Sequence, residues 1–166
     1  MTGEGTLWVI AEIAIGFAGF TGVVAVFGQQ NWGALNRYRF TALWATSLSS
    51  MLFALFPFLL FHSRLTEPDV WRYCSTLLAL VLVVVNCFEL PRDWKLRSLM
   101  TSGDKGALTI LTLVLVAATA GLVWNASSHA PTFTPYLAAL MYMLLAAATM
   151  FVGLLSSYVS GNIDDT

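Results

Sequence analysis

Residues 7–28 of the chain read LWVIAEIAIGFAGFTGVVAVFG, an apolar run that a single carboxylate, Glu12, interrupts. A helix needs about 20 mostly apolar residues to cross the hydrocarbon core of a bilayer, so this run predicts a membrane-spanning helix. The whole chain has the same character, because 58% of its 166 residues are hydrophobic and only 10% are charged. A soluble domain carries about 25% charged residues. The composition therefore predicts an integral membrane protein whose first partner is the lipid bilayer.

Four further apolar segments follow the first. Together they predict five spans, at residues 7–27, 40–61, 70–90, 107–124 and 133–159. The connecting segments are too short for a soluble domain, so the fold class is predicted as all-α, one transmembrane bundle of five helices over residues 1–166. Pro91 is predicted to end the third span, because proline cannot continue the helical ladder from its own nitrogen. The fourth span has few polar residues and is predicted to face lipid.

The basic residues predict the orientation of the bundle. The loops after the first and third spans hold Arg37, Arg39, Arg92, Lys95, Arg97 and Lys105. The opposite side holds Arg64 and Arg72. Since cytoplasmic loops carry the excess of Lys and Arg, the N-terminus is predicted outside and the C-terminus in the cytoplasm. The predicted location is the inner (cytoplasmic) membrane of a bacterium.

Tryptophan favours the headgroup region of a bilayer, so its positions test the predicted span ends. The outer ends carry Trp8, Trp71 and Trp124. The inner ends carry Trp32, Trp44 and Trp94. All six positions agree with the predicted spans.

Small residues form stripes on the first and fifth spans, and such stripes let membrane helices approach closely. The residues predicted to pack against other helices are Gly16, Ala18, Gly19, Gly22, Ala146 and Gly153. The stripes on span one predict that it is central to the bundle or lies between subunits. Its bulky arc, which includes Ile10, is predicted to face lipid.

Glu12 shares a helical face with Gly16 and Gly19, so it is predicted to face protein or a water-filled crevice. An ionisable group inside a span costs roughly 2.5–3.5 kcal/mol on insertion scales and by default indicates a functional site. Thr46, Ser50 and Asn86 are the other candidates to line a path for a cation or proton. The alternative is structural, with a hydrogen-bonded carboxylate at Glu12 and interhelical hydrogen bonds from the other three.

The sequence offers few candidates for a metal, cofactor, catalytic or nucleic-acid-binding site. His62 and His129 are weak candidates for a metal or haem site, but their spacing is not diagnostic, so no metal and no cofactor are predicted. The chain shows no nucleophile elbow or phosphate loop, and an enzyme is not predicted. A net charge of −1 without a basic run argues against nucleic-acid binding. Asn125 begins a sequence, Asn-Ala-Ser, that matches a glycosylation sequon on the predicted outer side.

Two hypotheses about function follow. In the first, the protein is an oligomeric channel or carrier for a small cation or proton, with Glu12 in the path. In the second, it is a non-catalytic accessory or assembly subunit of a larger membrane complex, and Glu12 bonds to a partner. Both predict a homo-oligomer or a larger assembly, because five short helices rarely enclose a pathway alone.

Overall fold

The computed structural model describes residues 3–28, 33–63, 65–96, 98, 100 and 102–161, and these form five α-helices joined by short connections. The helices are α1 (Glu4–Gly28), α2 (Ala34–His62), α3 (Glu67–Leu96), α4 (Ser102–Ser127) and α5 (Phe133–Gly161). Each contains a segment long and apolar enough to cross a membrane. The predicted all-α fold with five membrane-length helices is therefore confirmed.

The helix ends differ from prediction most clearly at Pro91. α3 continues through Pro91 to Leu96, so the prediction that this proline ends the helix is wrong. A proline removes one N–H donor and displaces the carbonyl one turn earlier, but the backbone can keep helical geometry on both sides of that point.

The helices pack as a bundle in which α2 and α5 lie along each other. α1 packs mainly on α2, and α3 and α4 pack on each other and against α5. Short connections make consecutive helices antiparallel, and Trp8 near the start of α1 lies 5.2 Å, centroid to centroid, from Phe58 near the end of α2. α4 has the smallest buried share of the five, in agreement with its predicted position facing lipid.

α1 lies at the edge of the bundle, so the prediction of a central first helix is wrong. Its buried residues are Leu7, Ile10, Ala11, Ala14 and Thr21. These are spaced to share one side of a helix. Ile10, predicted to face lipid, is only 2% exposed. The helix therefore packs on the chain through this face and leaves the Glu12 face outward.

The glycines of α1 mediate no close contact within the chain. A Cβ added to Gly16, Gly19 or Gly22 would meet no atom within 4 Å among the described residues. Their backbone therefore lies open on the outer surface of α1. The interface between subunits, the other predicted role for this helix, remains the place where close approach would use them.

Trp71 departs from the predicted interfacial tryptophans. Its ring is buried, with centroids 5.1 Å from Phe133 and 5.9 Å from Tyr136. It belongs to an aromatic cluster between α3 and α5, whereas Trp8, Trp44 and Trp124 are exposed as predicted. Trp32, Arg64 and Arg97 lie outside the described residues, as does the side chain of Trp94.

Candidate functional site

The four residues predicted to line a path lie in three different places. Glu12 is exposed on the outer face of α1, about two turns into the helix. Ser50 is buried on α2, and its hydroxyl has no hydrogen-bond partner among the described residues. Thr46 and Asn86 line one cavity together. The structure therefore brings two of the four together and places neither Glu12 nor Ser50 with them.

The cavity that Thr46 and Asn86 share lies between α2, α3, α4 and α5 and has a volume of about 160 Å³. Most of its wall is alanine, valine, leucine or methionine. The polar residues of the wall are Tyr38, Thr46, Ser49, Asn86, Thr112 and Tyr142, and Ala146 of α5 also lines it. α1 contributes nothing to it, so this cavity and the Glu12 face are two separate features of the molecule.

Three polar side chains of the cavity wall, Thr46, Asn86 and Thr112, donate to carbonyls of their own helices. The hydroxyl of Thr46 donates to the carbonyl of Ala42 at 2.7 Å, and that of Thr112 donates to the carbonyl of Leu108 at 2.8 Å. The amide of Asn86 donates to the carbonyl one turn earlier. The structural alternative of interhelical hydrogen bonds from Thr46 and Asn86 is therefore wrong for the described residues. The side-chain oxygens keep their capacity to accept.

A buried ion pair lies at one end of this cavity. The guanidinium of Arg39 on α2 donates to Asp104 Oδ1 of α4 at 2.7 Å, and the two side chains are 9% and 28% exposed. It also donates to the carbonyl of Gly153 and to Ser157 Oγ, both at 2.9 Å on α5. Arg39 thus joins three helices through charge-assisted hydrogen bonds.

Gly153 allows the Arg39 side chain to lie close against the backbone of α5. A Cβ at this position would lie 2.9 Å from Arg39 Nε, closer than side-chain carbons pack. Because Gly153 has no side chain, the Arg39 guanidinium can come close enough to donate a hydrogen bond to the Gly153 carbonyl. A second cavity of about 40 Å³ is lined by Arg39 and Asp104 and shares Tyr38 and Met150 with the larger one.

Sequence reasoning missed the role of Arg39, which was assigned to a basic loop. The signal was present in the helical register, since Arg39 precedes Leu43, Ser47 and Ser50 at intervals that keep one face of α2. That face is buried. A basic residue on a buried helical face requires a partner, because an unpaired buried charge is very costly.

Near the other end of the bundle, Tyr136 compensates for a proline inside α2. Pro57 has no N–H, so the carbonyl of Phe53, one turn earlier, has no helical donor. The hydroxyl of Tyr136 on α5 donates to that carbonyl at 2.5 Å. In a bilayer no water satisfies a freed carbonyl, so neighbouring helices must. The Phe53 carbonyl that Pro57 leaves without a helical donor therefore accepts its hydrogen bond from another helix.

Asn125 is occupied inside the fold. It lies within α4 and is 3% exposed. Its amide nitrogen donates to Ser75 Oγ and to the Thr132 carbonyl, and its Oδ1 accepts from the Thr132 N–H, each at 2.9 Å. These bonds hold the connection between α4 and α5 against α3. A glycan on this nitrogen would break them, so the sequon interpretation does not fit the folded chain.

The candidate metal ligands do not form a site in the part of the chain that the structure describes. His62 and His129 are both exposed, and no group of three or more His, Cys, Asp or Glu side chains is placed to hold a metal ion there. Cys74 and Cys87 are both free thiols. Comparisons of the chain with protein-family models, curated proteins and solved structures gave no match.

Proposed function

We propose that the protein functions as an oligomeric membrane channel or carrier, in which Glu12 conducts a small cation or proton along an interface between subunits. The observation that carries the proposal is the position of Glu12, exposed on a membrane-length apolar helix beside Gly16 and Gly19. Intramembrane carboxylates almost always face protein or a water-filled cavity, because exposure to lipid is costly. A second copy of the chain packed on this face places Glu12 against protein and encloses a water-filled path beside it.

The glycines support the same interface. Gly16 and Gly19 expose their backbone on the side of Glu12 and meet nothing within 4 Å from the described chain. Small residues are what right-handed pairs of membrane helices place at their contact. In this arrangement α1 packs on its own subunit through Leu7 and Ile10 and on the neighbouring subunit through the Glu12 face.

The proposed orientation puts Glu12 in the outer half of the membrane. The helix ends that flank the α1–α2 and α3–α4 connections carry most of the basic residues, and the positive-inside rule favours the cytoplasm for this side. Arg39 and Asp104 then lie near the cytoplasmic surface, and the start of α1 lies outside. The proposed compartment is the inner membrane of a bacterium.

A second candidate function is that of an accessory subunit, in which a different protein covers the Glu12 face. One observation favours it. Thr46 and Asn86 line a cavity on the other side of α2 from α1, so the described residues give no continuous polar route that joins them to Glu12. An accessory subunit needs the outward face of α1 for docking and needs no such route.

Glu12→Gln is expected to abolish transport and to leave folding intact. Glutamine keeps the shape of the side chain and removes its titratable charge. The measurement is cation and proton flux into liposomes that contain the purified protein, driven by a defined ion or pH gradient. The flux should fall by more than tenfold in Glu12→Gln, while Glu4→Gln, an exposed carboxylate at the start of the same helix, should keep wild-type flux.

Full flux in Glu12→Gln would contradict the channel or carrier proposal. Absence of flux in the wild-type oligomer, with each of the cations tried, would contradict it too and would favour the accessory subunit. Helix content and particle mass measured on the same preparations separate loss of transport from loss of folding.

Gly19→Leu is expected to break the oligomer and to spare the fold of the single chain. A Cβ at this exposed position would meet nothing within 4 Å among the described residues, so the added bulk should act mainly on what another subunit contacts on α1. The mass of detergent-solubilised protein should fall to that of one chain with unchanged helix content. The control is Ala117→Leu, which adds bulk at an exposed position of α4 and should leave the mass unchanged. Equal masses for both variants would argue against an α1 interface.

A further inference from the structure

We infer that the cavity between α2, α3, α4 and α5 is a binding site for a small neutral molecule, about one aromatic ring in size, that carries a hydroxyl group. The inference goes beyond the proposed function and does not involve Glu12, which lies on another helix. It follows from the volume of the cavity, from the chemistry of its wall and from the absence of a charged side chain among the described residues that line it.

The volume sets the size of the ligand. The cavity measures about 160 Å³, and an apolar cavity of about 150 Å³ in a protein core binds benzene. A single ring therefore fits. Residues such as Leu82, Leu111 and Met143 supply the apolar contacts that a ring requires.

The polar groups of the wall set the functional group. Thr46 and Thr112 have already donated their hydroxyl hydrogens to carbonyls of their own helices, so their oxygens are left as acceptors. Asn86 has donated one N–H in the same way and keeps its carbonyl oxygen and a second N–H. The wall also carries the hydroxyl groups of Tyr38, Ser49 and Tyr142. A ligand hydroxyl group, which both donates and accepts, can pair with either kind of wall group.

The wall also excludes ions. The described residues that line the larger cavity are uncharged, and the nearby charges of Arg39 and Asp104 are paired with each other at 2.7 Å. A charged ligand would enter a low-dielectric space without a counter-ion, which is strongly unfavourable. The ligand is therefore neutral.

The experiment compares two probes, para-fluorophenol and fluorobenzene, by fluorine NMR on the purified protein in detergent. We expect para-fluorophenol to bind saturably at one site and fluorobenzene to bind about fivefold more weakly, which is the net value of one hydrogen bond. Ala146→Leu, on the cavity wall, should abolish saturable binding of both probes. Ala138→Leu, at an exposed position of the same helix, should retain it and so accounts for partition into the micelle.

Unchanged binding in Ala146→Leu would overturn the site. Equal affinity for the two probes would overturn the requirement for a hydroxyl group and would indicate a purely apolar cavity. If Ala146→Leu does not yield folded protein, Ala42→Leu on the α2 wall carries the same expectation. Binding of para-fluorophenol should persist in Glu12→Gln, so failure of the transport proposal and failure of this one are distinguishable.

Discussion

Arg39→Leu should lower the free energy of unfolding by about 3 kcal/mol, the largest single effect expected in this chain. The leucine removes the partner of Asp104 and also leaves the carbonyl of Gly153 and the hydroxyl of Ser157 without their shared donor. Removal of one member of a buried ion pair costs about 3–5 kcal/mol when the other charge stays buried. The lower end of that range applies because Asp104 is partly exposed, at 28%.

The measurement is unfolding in mixed micelles of increasing SDS content, followed by circular dichroism and by tryptophan fluorescence. Arg37→Leu is the matched control, because it removes the same charge from an exposed position on the first turn of α2. It should change stability by less than about 0.5 kcal/mol. Equal stability of the two variants would show that the Arg39 cluster does not hold α2, α4 and α5 together.

A second substitution tests the mechanism of this loss. In the Arg39→Leu background Asp104→Asn no longer removes the ion pair with Arg39, so it should cost less stability than in the wild-type background. In the wild-type background the same change should destabilise, because it weakens the pair with Arg39. The difference between the two costs is the coupling energy of the Arg39–Asp104 pair, and equal costs would show that the pair does not contribute to stability.

Tyr136→Phe should cost about 1–3 kcal/mol, the penalty for a buried carbonyl left without a donor. The change removes one oxygen and keeps the ring against Trp71. It leaves the carbonyl of Phe53 with no donor from its own helix, because Pro57 has no N–H, and none from α5. Tyr73→Phe, at an exposed position on α3, is the control and should be neutral.

The proline provides a direct check on this explanation. In a Pro57→Ala background, the alanine N–H can complete the helical ladder to Phe53, so Tyr136→Phe should then cost measurably less. The two substitutions together form a double-mutant cycle, and their coupling energy measures the shared role of the carbonyl. Full additivity would contradict the compensation of Pro57 by Tyr136.

The all-α fold with five helices of membrane length could be predicted from the sequence, whereas the helix neighbours and the candidate site could be predicted only in part. Glu12 stood out because a carboxylate in an apolar run is visible without knowledge of any neighbour. Thr46 and Asn86 were chosen as polar residues in spans, and they share a cavity. The positions of α2, α3 and α4 in space were needed to show that Thr112 lines the same cavity and that this cavity is separate from Glu12.

The errors have one physical origin. In water, apolar residues mark the buried face of a helix, but lipid is as apolar as leucine, so a membrane helix gains no hydrophobic energy by choosing one apolar face over another. The glycines of α1 were therefore taken as its contact face, while the chain packs through Leu7 and Ile10. Trp71 was assigned to the interface for the same reason, although its ring lies among Phe133 and Tyr136.

The sequence by itself determined five apolar helices of membrane length, the acidic interruption at Glu12 and the carbonyl that Pro57 leaves free near residue 53. These properties depend on the length, hydropathy and covalent structure of each segment alone. Only the tertiary structure decided that Tyr136 satisfies that carbonyl, that Arg39 joins Asp104 to α5, and that the Glu12 face remains open. Such pairings depend on which helices become neighbours. Hydropathy does not select the neighbours when a helix is apolar on every side, so close packing and hydrogen bonds between distant residues select them.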